Sequence, residues 1–151
     1  MKIIGFSITG ISSERKSEIK NQININSNLN IDKISEEKMN FLDKPAFKFE
    51  YTYGIEYTPA IANIKIKGTV LAIIDEKTSE DVIKNWNKPD FDQNLKLTLY
   101  NFILGKCNLK AIILEDDLGL PSHIPFPQLS PKPEEKMEKS NKKSKPANYT
   151  G

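Results

Sequence analysis

Residues 47–57 read Phe-Lys-Phe-Glu-Tyr-Thr-Tyr-Gly-Ile-Glu-Tyr, and the architecture of the chain can be inferred from them. Every odd position is aromatic or apolar and every even position is polar or glycine, which indicates a β-strand with one buried face and one wet face. At about 3.3 Å per residue the strand spans roughly 36 Å, so its neighbours must also be long to cover it. Because the strands of an all-parallel sheet would be continuously apolar, the alternation predicts an open antiparallel sheet.

The composition is that of an ordinary globular protein of one domain. The chain has 151 residues, 38% of them hydrophobic, and a net charge of +2. This surplus is smaller than in a typical nucleic-acid-binding domain, whose pI exceeds ~9. The single cysteine, Cys107, excludes an internal disulfide, and with one histidine, His123, no Cys/His zinc cluster is expected.

Targeting segments are not expected either. No apolar run approaches the ~18 residues needed to cross a bilayer, and the N-terminus lacks the long apolar segment of a signal peptide. We therefore expect a cytoplasmic protein with no membrane insertion.

Two strands precede the central stretch. Residues 3–9 place apolar side chains on one face and predict a short first strand, which Gly10 ends before a polar loop. Residues 22–32 alternate apolar side chains with asparagines and predict a second strand. Ile34 then falls on the opposite parity, which predicts a bulge or a strand end near residues 32–33. Residues 35–45 are read as a crossing loop.

A fourth strand is predicted over residues 62–75. The link at Thr58-Pro59 is short, so this strand should form a hairpin with the central one. The period then changes. Thr78 or Ser79 can cap a short helix whose buried side chains are Val82, Ile83 and Trp86, and which ends at Pro89.

A long helix follows, from Gln93 to about Asp116, with Asp92 as its cap and Gly119 as its terminator. Its apolar arc is wider than the stripe of a surface helix. One face comprises Leu95, Leu99, Phe102, Lys106, Leu109 and Ile113, and another comprises Tyr100, Leu104, Cys107, Ala111, Leu114 and Leu118. The helix should therefore pack on the sheet and also against something else, such as a second subunit or the tail.

The C-terminal part of the chain changes in composition. Residues 120–133 contain five prolines among apolar side chains and predict a stiff, extended segment. From Glu134 onward the residues are mostly Lys, Glu, Asn and Ser, which is typical of a segment that is disordered when unbound. We therefore predict a domain over residues 1–131 and a polar, lysine-rich tail over residues 132–151.

No constellation of catalytic residues is visible, so we expect no enzyme, no cofactor and no metal site. The sole histidine, His123, lies in the proline-rich segment and no Gly-x-Ser-x-Gly elbow is present, so a surface histidine is expected. The run Glu115-Asp116-Asp117 could hold a hard cation, but consecutive carboxylates at a helix end point in different directions. A solvated helix end is the preferred interpretation.

The aromatic row has two interpretations. Its rings could stack single-stranded nucleic acid, since Lys48, Lys65 and Lys67 flank them, or they could pack in the core. Packing is favoured because all five rings share the parity that must face the helices. They are Phe47, Phe49, Tyr51, Tyr53 and Tyr57.

Two pieces of sequence resemble the export chaperone family SecB. Residues 49–59, Phe-Glu-Tyr-Thr-Tyr-Gly-Ile-Glu-Tyr-Thr-Pro, followed by Ile61-Ala62-Asn63-Ile64, resemble the family's long hairpin, and Phe126-Pro127-Gln128-Leu129 resembles its Phe-Pro-Gln-Leu segment. The order of elements over residues 3–131 is also similar. The resemblance implies an α+β fold: a four-stranded antiparallel sheet with a short and a long helix on one face, a Pro-rich extended segment and a disordered C-terminal tail.

The resemblance also implies a function. SecB proteins hold unfolded chains soluble without ATP, and their protomers pair into dimers and tetramers. Unfolded or nascent polypeptides would then be the partners, bound in apolar grooves. Candidate groove residues are Phe41, Leu42, Trp86 and Phe91, which could equally close the core.

The chain departs from bacterial SecB in being slightly basic rather than acidic, and its tail replaces the family's second C-terminal helix. It resembles the archaeal-type SecB-like proteins, whose lineage lacks the export motor. A second function therefore stays open, that of a ribosome- or rRNA-associated protein. The lysines concerned are Lys65, Lys67, Lys132, Lys136, Lys139, Lys142, Lys143 and Lys145.

Overall fold

The structure is a computed structural model that describes residues 1–131. Its strands are β1 (Lys2–Arg15), β2 (Asn24–Glu37), β3 (Ala46–Thr58) and β4 (Ala62–Ile73), and its helices are α1 (Glu76–Ser79), α2 (Val82–Asn85) and α3 (Gln93–Asp117). The predicted tail, residues 132–151, lies outside the described residues. Four long strands followed by helices give the α+β class expected from the sequence.

The strands form one antiparallel sheet in the order β1-β4-β3-β2. The predicted hairpin is confirmed, since Tyr57 pairs with Ala62 and Ala46 pairs with Ile73 at its two ends. The link between the two strands contains a cis peptide bond at Thr58-Pro59. The long central strand therefore does have long neighbours on both sides.

The two outer strands are longer than the sequence indicated. Gly10 does not end β1: the register with β4 shifts between Ile8 and Gly10, and pairing continues to Arg15. The glycine is absorbed as an irregularity because the long partner strand continues to offer hydrogen bonds. In β2 the register shifts between Ile31 and Lys33, where the change of parity predicted a bulge. That strand then continues to Glu37 into the predicted loop.

The aromatic row of β3 faces the core. All five of its rings are buried, together with Ile55 between them, so the favoured prediction of core packing is confirmed and the alternative of a stacking platform for nucleic acid is wrong. The core also takes in the inward side chains of β4 and the underside of α3. The faces of the sheet therefore differ, because the helices cover one and leave the other polar.

Gly68 makes the packing of Tyr51 possible. A Cβ atom at position 68 would lie 2.1 Å from the carbonyl oxygen of Ser7 and 2.3 Å from the hydroxyl oxygen of Tyr51. The tyrosine passes over this gap and donates a hydrogen bond of 3.3 Å to the Ser7 carbonyl. On the same side its ring stacks on Phe6 with 5.8 Å between centroids. Only glycine fits this position of β4.

The predicted short helix is two single turns, α1 and α2. Val82 and Trp86 are buried as expected, but Ile83 is exposed, so that part of the prediction is wrong. A single turn can turn only a few side chains inward, and the ring of Trp86 fills the space by packing on Phe49 at 5.3 Å.

Helix α3 has the predicted boundaries. The side chain of Asp92 caps its first turn by accepting a hydrogen bond of 3.0 Å from the backbone N–H of Leu95, and Gly119 ends it with a positive φ of 62°. One row of residues spaced by four is buried against the sheet: Leu95, Leu99, Ile103, Cys107, Ala111 and Glu115. This row takes residues from both predicted faces and adds Ile103 and Glu115, because residues spaced by four lie on nearly the same side of a helix.

Within residues 1–131, α3 is the one helix whose length and apolar composition would suffice to cross a membrane. The sequence analysis expected no such segment. Core helices of proteins that do not enter membranes also meet this criterion, and the buried row of α3 packs on the sheet.

Candidate functional site

The outward side of α3 exposes apolar side chains. Leu109 and Ile113, one turn apart, are 66% and 55% exposed, and Leu97 is exposed nearer the start of the helix. Gly105 lies between Leu97 and Leu109 in the sequence, and an added Cβ atom there would meet no heavy atom within 4 Å. We call Leu97, Leu109 and Ile113 the outer row. Leu109 and Ile113 belong to the predicted apolar arc, whereas Leu97 was on neither predicted face, and all three are exposed in the described part of this copy.

A groove lies beside the C-terminal half of the outer row. It has a volume of about 450 Å³, and its apolar walls are Ile112 and Ile113 from α3 and Leu120 and Phe126 from the following segment. We call that segment, residues 120–131, the strap; it contains no helix or strand. Phe126 is 58% exposed and Leu129 is fully exposed. The groove therefore continues the exposed apolar surface of α3.

The end of α3 directs the strap back over the sheet. The backbone N–H of Leu120 donates to the carbonyl of Glu115 at 2.8 Å, which closes the turn around Gly119. From β1, Nη1 of Arg15 donates to the carbonyl of Leu118 at 2.9 Å. A cation at the C-terminus of a helix is favoured by the helix dipole, so this contact fixes the helix end on the sheet.

Glu115 is buried at this end, and the predicted solvated carboxylate is wrong here. Its side chain accepts a hydrogen bond of 2.7 Å from the backbone N–H of His123, and it also bonds Nδ1 of His123 and the hydroxyl of Tyr57. Only 1% of the residue is exposed. The Glu115 carboxylate is therefore bonded by both β3 and the strap.

His123 is likewise not a surface histidine, as only 6% of its side chain is exposed. Its Nε2 lies 3.0 Å from Oδ1 of Asn108 and 3.1 Å from the hydroxyl oxygen of Tyr53. Tyr53 donates to the same Asn108 oxygen at 2.7 Å. The hydroxyl oxygen of Tyr57 lies 2.9 Å from the carbonyl oxygen of Pro121 in the strap. Two strand residues, two helix residues and two strap residues thus form one hydrogen-bonded cluster.

The tyrosines of this cluster stay protonated over a wide pH range. Burial raises the pKa of Tyr53 to about 12, and the charge of Glu115 adds to the shift. Burial and then the hydrogen bond to Glu115 raise the pKa of Tyr57 as well. Both hydroxyls therefore remain hydrogen-bond donors. Burial also raises the pKa of the Cys107 thiol, so this cysteine is not an activated nucleophile.

A signal for this cluster was present in the sequence. A step of four residues from Leu95 along the buried row ends on Glu115, so its burial follows from the same geometry. Tyrosines that face a core must also find partners for their hydroxyls. What the sequence does not show is that residues far apart, such as Tyr53 and His123, meet at the helix end.

The predicted client-binding residues lie in two places. Phe41 is 81% exposed and Leu42 half-buried in the loop between β2 and β3. Trp86 is 5% exposed and contacts Phe91, which is half-buried, with 6.1 Å between centroids. Phe41 is thus free to touch another molecule, whereas Trp86 also closes the core.

The predicted RNA-binding lysines are divided. Lys65 and Lys67 are exposed on the polar face of the sheet, where Lys65 borders a hollow of about 380 Å³ together with Asn28 and Glu56. The other six, from Lys132 to Lys145, lie outside the described residues. Within residues 1–131, no three His, Cys, Asp or Glu side chains gather to hold a metal ion.

Comparisons with known proteins give a structural likeness. No protein-family model matches the sequence, and no curated protein matches it. Among solved structures, the chain is similar to the SecB-like chaperone Rv1957 of Mycobacterium tuberculosis, solved in complex with a ChAD peptide from the antitoxin HigA1. The two are 12% identical with a TM-score of 0.49, and the match covers 85% of this chain and 90% of that one. Family and function are therefore inferred from the residues of this chain.

Proposed function

We propose that this chain is a SecB-like chaperone of the archaeal type, a holdase that binds unfolded or nascent polypeptides without ATP. One observation carries the proposal: large apolar side chains at the end of α3 and along the strap are exposed in the described domain. Leu109, Ile113 and Phe126 lie together there and are each more than half exposed. Burial of such side chains is non-directional, so it suits clients of many sequences.

The strap adds to this argument. Phe126 and Leu129 belong to the Phe-Pro-Gln-Leu segment that resembles SecB, and neither is needed to close the core of one copy. Fully burying a leucine or phenylalanine side chain is worth about 1.5–3 kcal/mol. A few contacts of this kind suffice to hold an unfolded chain, and none requires nucleotide chemistry.

The same surface supports self-association, and we propose a homo-dimer or homo-tetramer. Obligate interfaces resemble a protein core, and the outer row of α3 has that character. We further propose that the protein is cytoplasmic, is not an enzyme and does not insert into membranes. Its molar mass in solution, with and without an unfolded client, tests the assembly.

An aggregation assay tests holding. The full chain should suppress aggregation of a chemically denatured client at less than one tetramer per client. The double variant L109S/I113S should lose most of this effect, and Phe41→Ser should weaken it if the β2–β3 loop also contacts the client. Phe41→Ser is a cleaner test than Trp86→Ala because Trp86 lies in the core.

Lys110→Ser provides the matched control on the same turn of α3 and should suppress aggregation like the unmodified chain. No suppression at any ratio would reject the holdase. Equal suppression by L109S/I113S and by the unmodified chain would place client binding elsewhere.

The second candidate is a ribosome- or rRNA-associated protein. It is favoured by the exposure of Lys65 and Lys67 on the open face of the sheet, away from the apolar surface. The double variant K65E/K67E and deletion of residues 132–151 should each weaken a salt-sensitive association with ribosomes. Absence of the protein from ribosomal fractions at low salt would count against this function.

A further inference from the structure

Strand β2 forms one edge of the sheet, because the order β1-β4-β3-β2 gives it a single neighbour. In an antiparallel sheet, alternate residues of an edge strand direct their N–H and C=O groups away from the sheet. Within residues 1–131, the backbone of residues 25–31 has no hydrogen bonds other than those to β3. A row of backbone donors and acceptors is therefore open along this edge.

This edge also lacks the features that protect edge strands from pairing, which are charges, prolines and bulges. The other edge, β1, has two register shifts, next to Gly5 and Gly10, and charged residues at both ends. By contrast, residues 21–31 contain no charge, no proline and no glycine, and β2 pairs with β3 without a shift from Asn24 to Ile31. The first half of β2 is therefore a regular, uncharged edge that another strand can extend.

The pattern of apolar and polar residues along this edge is the same in both directions. Residues 23–31 read Ile-Asn-Ile-Asn-Ser-Asn-Leu-Asn-Ile, which is symmetric in kind about Ser27. We call residues 23–31 the edge segment. Its isoleucines and its leucine are half-buried against the core, and its asparagines are exposed. A two-fold interface joins the same surface of two copies, so it needs this kind of self-complementarity.

One register matches the edge segment fully to itself. If two copies of β2 pair antiparallel with Ser27 opposite Ser27, each apolar residue lies opposite an apolar residue and each asparagine opposite an asparagine. Amide side chains both donate and accept, so opposed asparagines can bond each other. A shift by one residue would turn the apolar row to the wrong face. Moving the two-fold axis to Asn26 or Asn28 would place Ser27 opposite an apolar residue.

The charges that flank the edge segment agree with this register. In an antiparallel pair the start of one segment lies beside the end of the other. Gln22 then lies opposite the partner's Asp32, and Lys20 lies diagonally beyond it, within the reach of a long side chain. The first charges before and after the edge segment therefore have opposite signs where two copies meet.

We propose that the edge segment is an interface between two copies of this chain, which pair β2 with β2 antiparallel about a two-fold axis at Ser27 and join their sheets into one of eight strands. The pairing occupies the open edge of both copies, so it closes at two. It lies on a different element from the outer row and does not depend on the holdase function. Pairs formed at β2 and joined through the outer row would give the tetramer proposed above.

Cysteine cross-linking tests the register. Ser27→Cys places two thiols directly opposite each other, where Cβ atoms are about 4.5–5.5 Å apart and a disulfide can form. After mild oxidation, most of this variant should run as a covalent dimer. Asn26→Cys and Asn28→Cys should each cross-link about tenfold less when alone, because each lies diagonal to its own copy, and should cross-link when mixed. Ser12→Cys, exposed on β1, is the control, and the unmodified chain, whose Cys107 is buried, gives the background.

No dimer of Ser27→Cys would overturn the interface, and efficient cross-linking of Asn26→Cys or Asn28→Cys alone would overturn the register. Linkage of Ser27→Cys to a cysteine-bearing denatured client, and not to itself, would show that the edge belongs to clients and would overturn the proposal.

Added charge tests whether this interface holds the copies together. The double variant N26K/N28K places lysines opposite lysines and gives the edge the charges that protect other edges. Its dissociation constant, measured by sedimentation, should rise about tenfold or more. The double variant N40K/N87K adds the same charge at exposed positions outside β2 and should leave the constant unchanged. Equal constants for the two variants would overturn the proposal.

The L109S/I113S background separates this interface from the outer row. Ser27→Cys should cross-link as fully there as it does alone, and N26K/N28K should still weaken the pairing. If cross-linking is lost in this background, α3 makes the contact and the β2 interface is wrong. A chain that stays monomeric at every concentration would also overturn it, whereas a failed aggregation assay would reject only the holdase. Fluorescence of Trp86, the only tryptophan, shows that each variant is folded.

Discussion

The two ends of helix α3 are held to the rest of the molecule by different means. At its N-terminal end Trp86 packs on Phe49, Phe91 and Tyr100 at 5.3, 6.1 and 6.2 Å between ring centroids. At its C-terminal end Glu115 accepts hydrogen bonds from β3 and from the strap. One end is held by rings in contact and the other by a buried glutamate side chain with its hydrogen bonds.

The difference lies in what each end tolerates. Contacts between rings are non-directional, so the cost of a change follows the volume removed. A buried carboxylate depends on each donor, because a polar group left without a partner keeps the whole cost of its desolvation. We therefore expect the aromatic end to be sensitive to size and the polar end to be sensitive to single atoms.

The largest effect is expected at the aromatic end. Phe49→Ala should lower the free energy of unfolding by about 3–5 kcal/mol, since it leaves a cavity beneath Trp86. Urea unfolding followed by Trp86 fluorescence measures the change. Phe41→Ala removes the same ring from a site that is 81% exposed and should cost less than about 0.5 kcal/mol. Similar losses from both variants would mean that Phe49 is not part of the packed end.

At the polar end, removing a single atom should already lower the free energy of unfolding. Tyr57→Phe removes one oxygen atom, and Glu115 loses a donor while the Pro121 carbonyl loses a neighbour. The free energy of unfolding should fall by about 1–3 kcal/mol. Tyr100→Phe makes the same change at the aromatic end, where this hydroxyl has no hydrogen bond among residues 1–131. If Tyr100→Phe costs as much, the contrast between the ends is wrong.

The aromatic end could be predicted from the sequence because its cause is local. Alternation in β3 places Phe49 inward, and Trp86 is the large apolar residue of a short segment whose few turns must face the same core. The cap at Asp92 and the terminator Gly119 were predicted for similar reasons, since each is set by the conformation of a few consecutive residues.

The polar end could not be predicted in the same way. Glu115 was predicted to be exposed because it opens a run of three carboxylates, whereas the register of α3 turns it inward and Asp116 and Asp117 outward. The extension of β1 to Arg15 was missed for a related reason, since it depends on pairing with β4 and not on its own polar residues. Partners distant in the chain decide both features.

Alkaline pH should weaken the polar end first. Tyr53 has a pKa raised by burial from 10.0 to about 12, so the folded chain holds this proton more tightly than the unfolded chain does. The resulting stability is complete when the pH is below the pKa of Tyr53 in the unfolded chain. It is lost as the pH rises toward the pKa of Tyr53 in the folded chain. Unfolding free energies measured between these two pKa values should therefore fall with pH.

Tyr53→Phe should flatten part of this slope. The rest of the slope should remain, because the pKa values of Tyr51 and Tyr57 are also raised. An unchanged slope in Tyr53→Phe would show that its hydroxyl is not held in the folded chain.

The smallest effect is expected where β1 meets the end of α3. Arg15 lies on the surface and donates to the carbonyls of Leu118 and Gly119 at 2.9 and 3.4 Å. Arg15→Gln should lower the free energy of unfolding by about 0.3–1 kcal/mol, because a cation near a helix C-terminus interacts favourably with its dipole, and the loss should shrink at high salt. Lys16→Gln removes a neighbouring positive charge that does not reach the helix and should cost nothing measurable. If both variants lose the same amount, the effect belongs to net charge and not to the helix end. If Arg15→Gln also speeds exchange of the His123 amide, the carbonyl contacts of Arg15 help to hold the strap, and the polar end extends to β1.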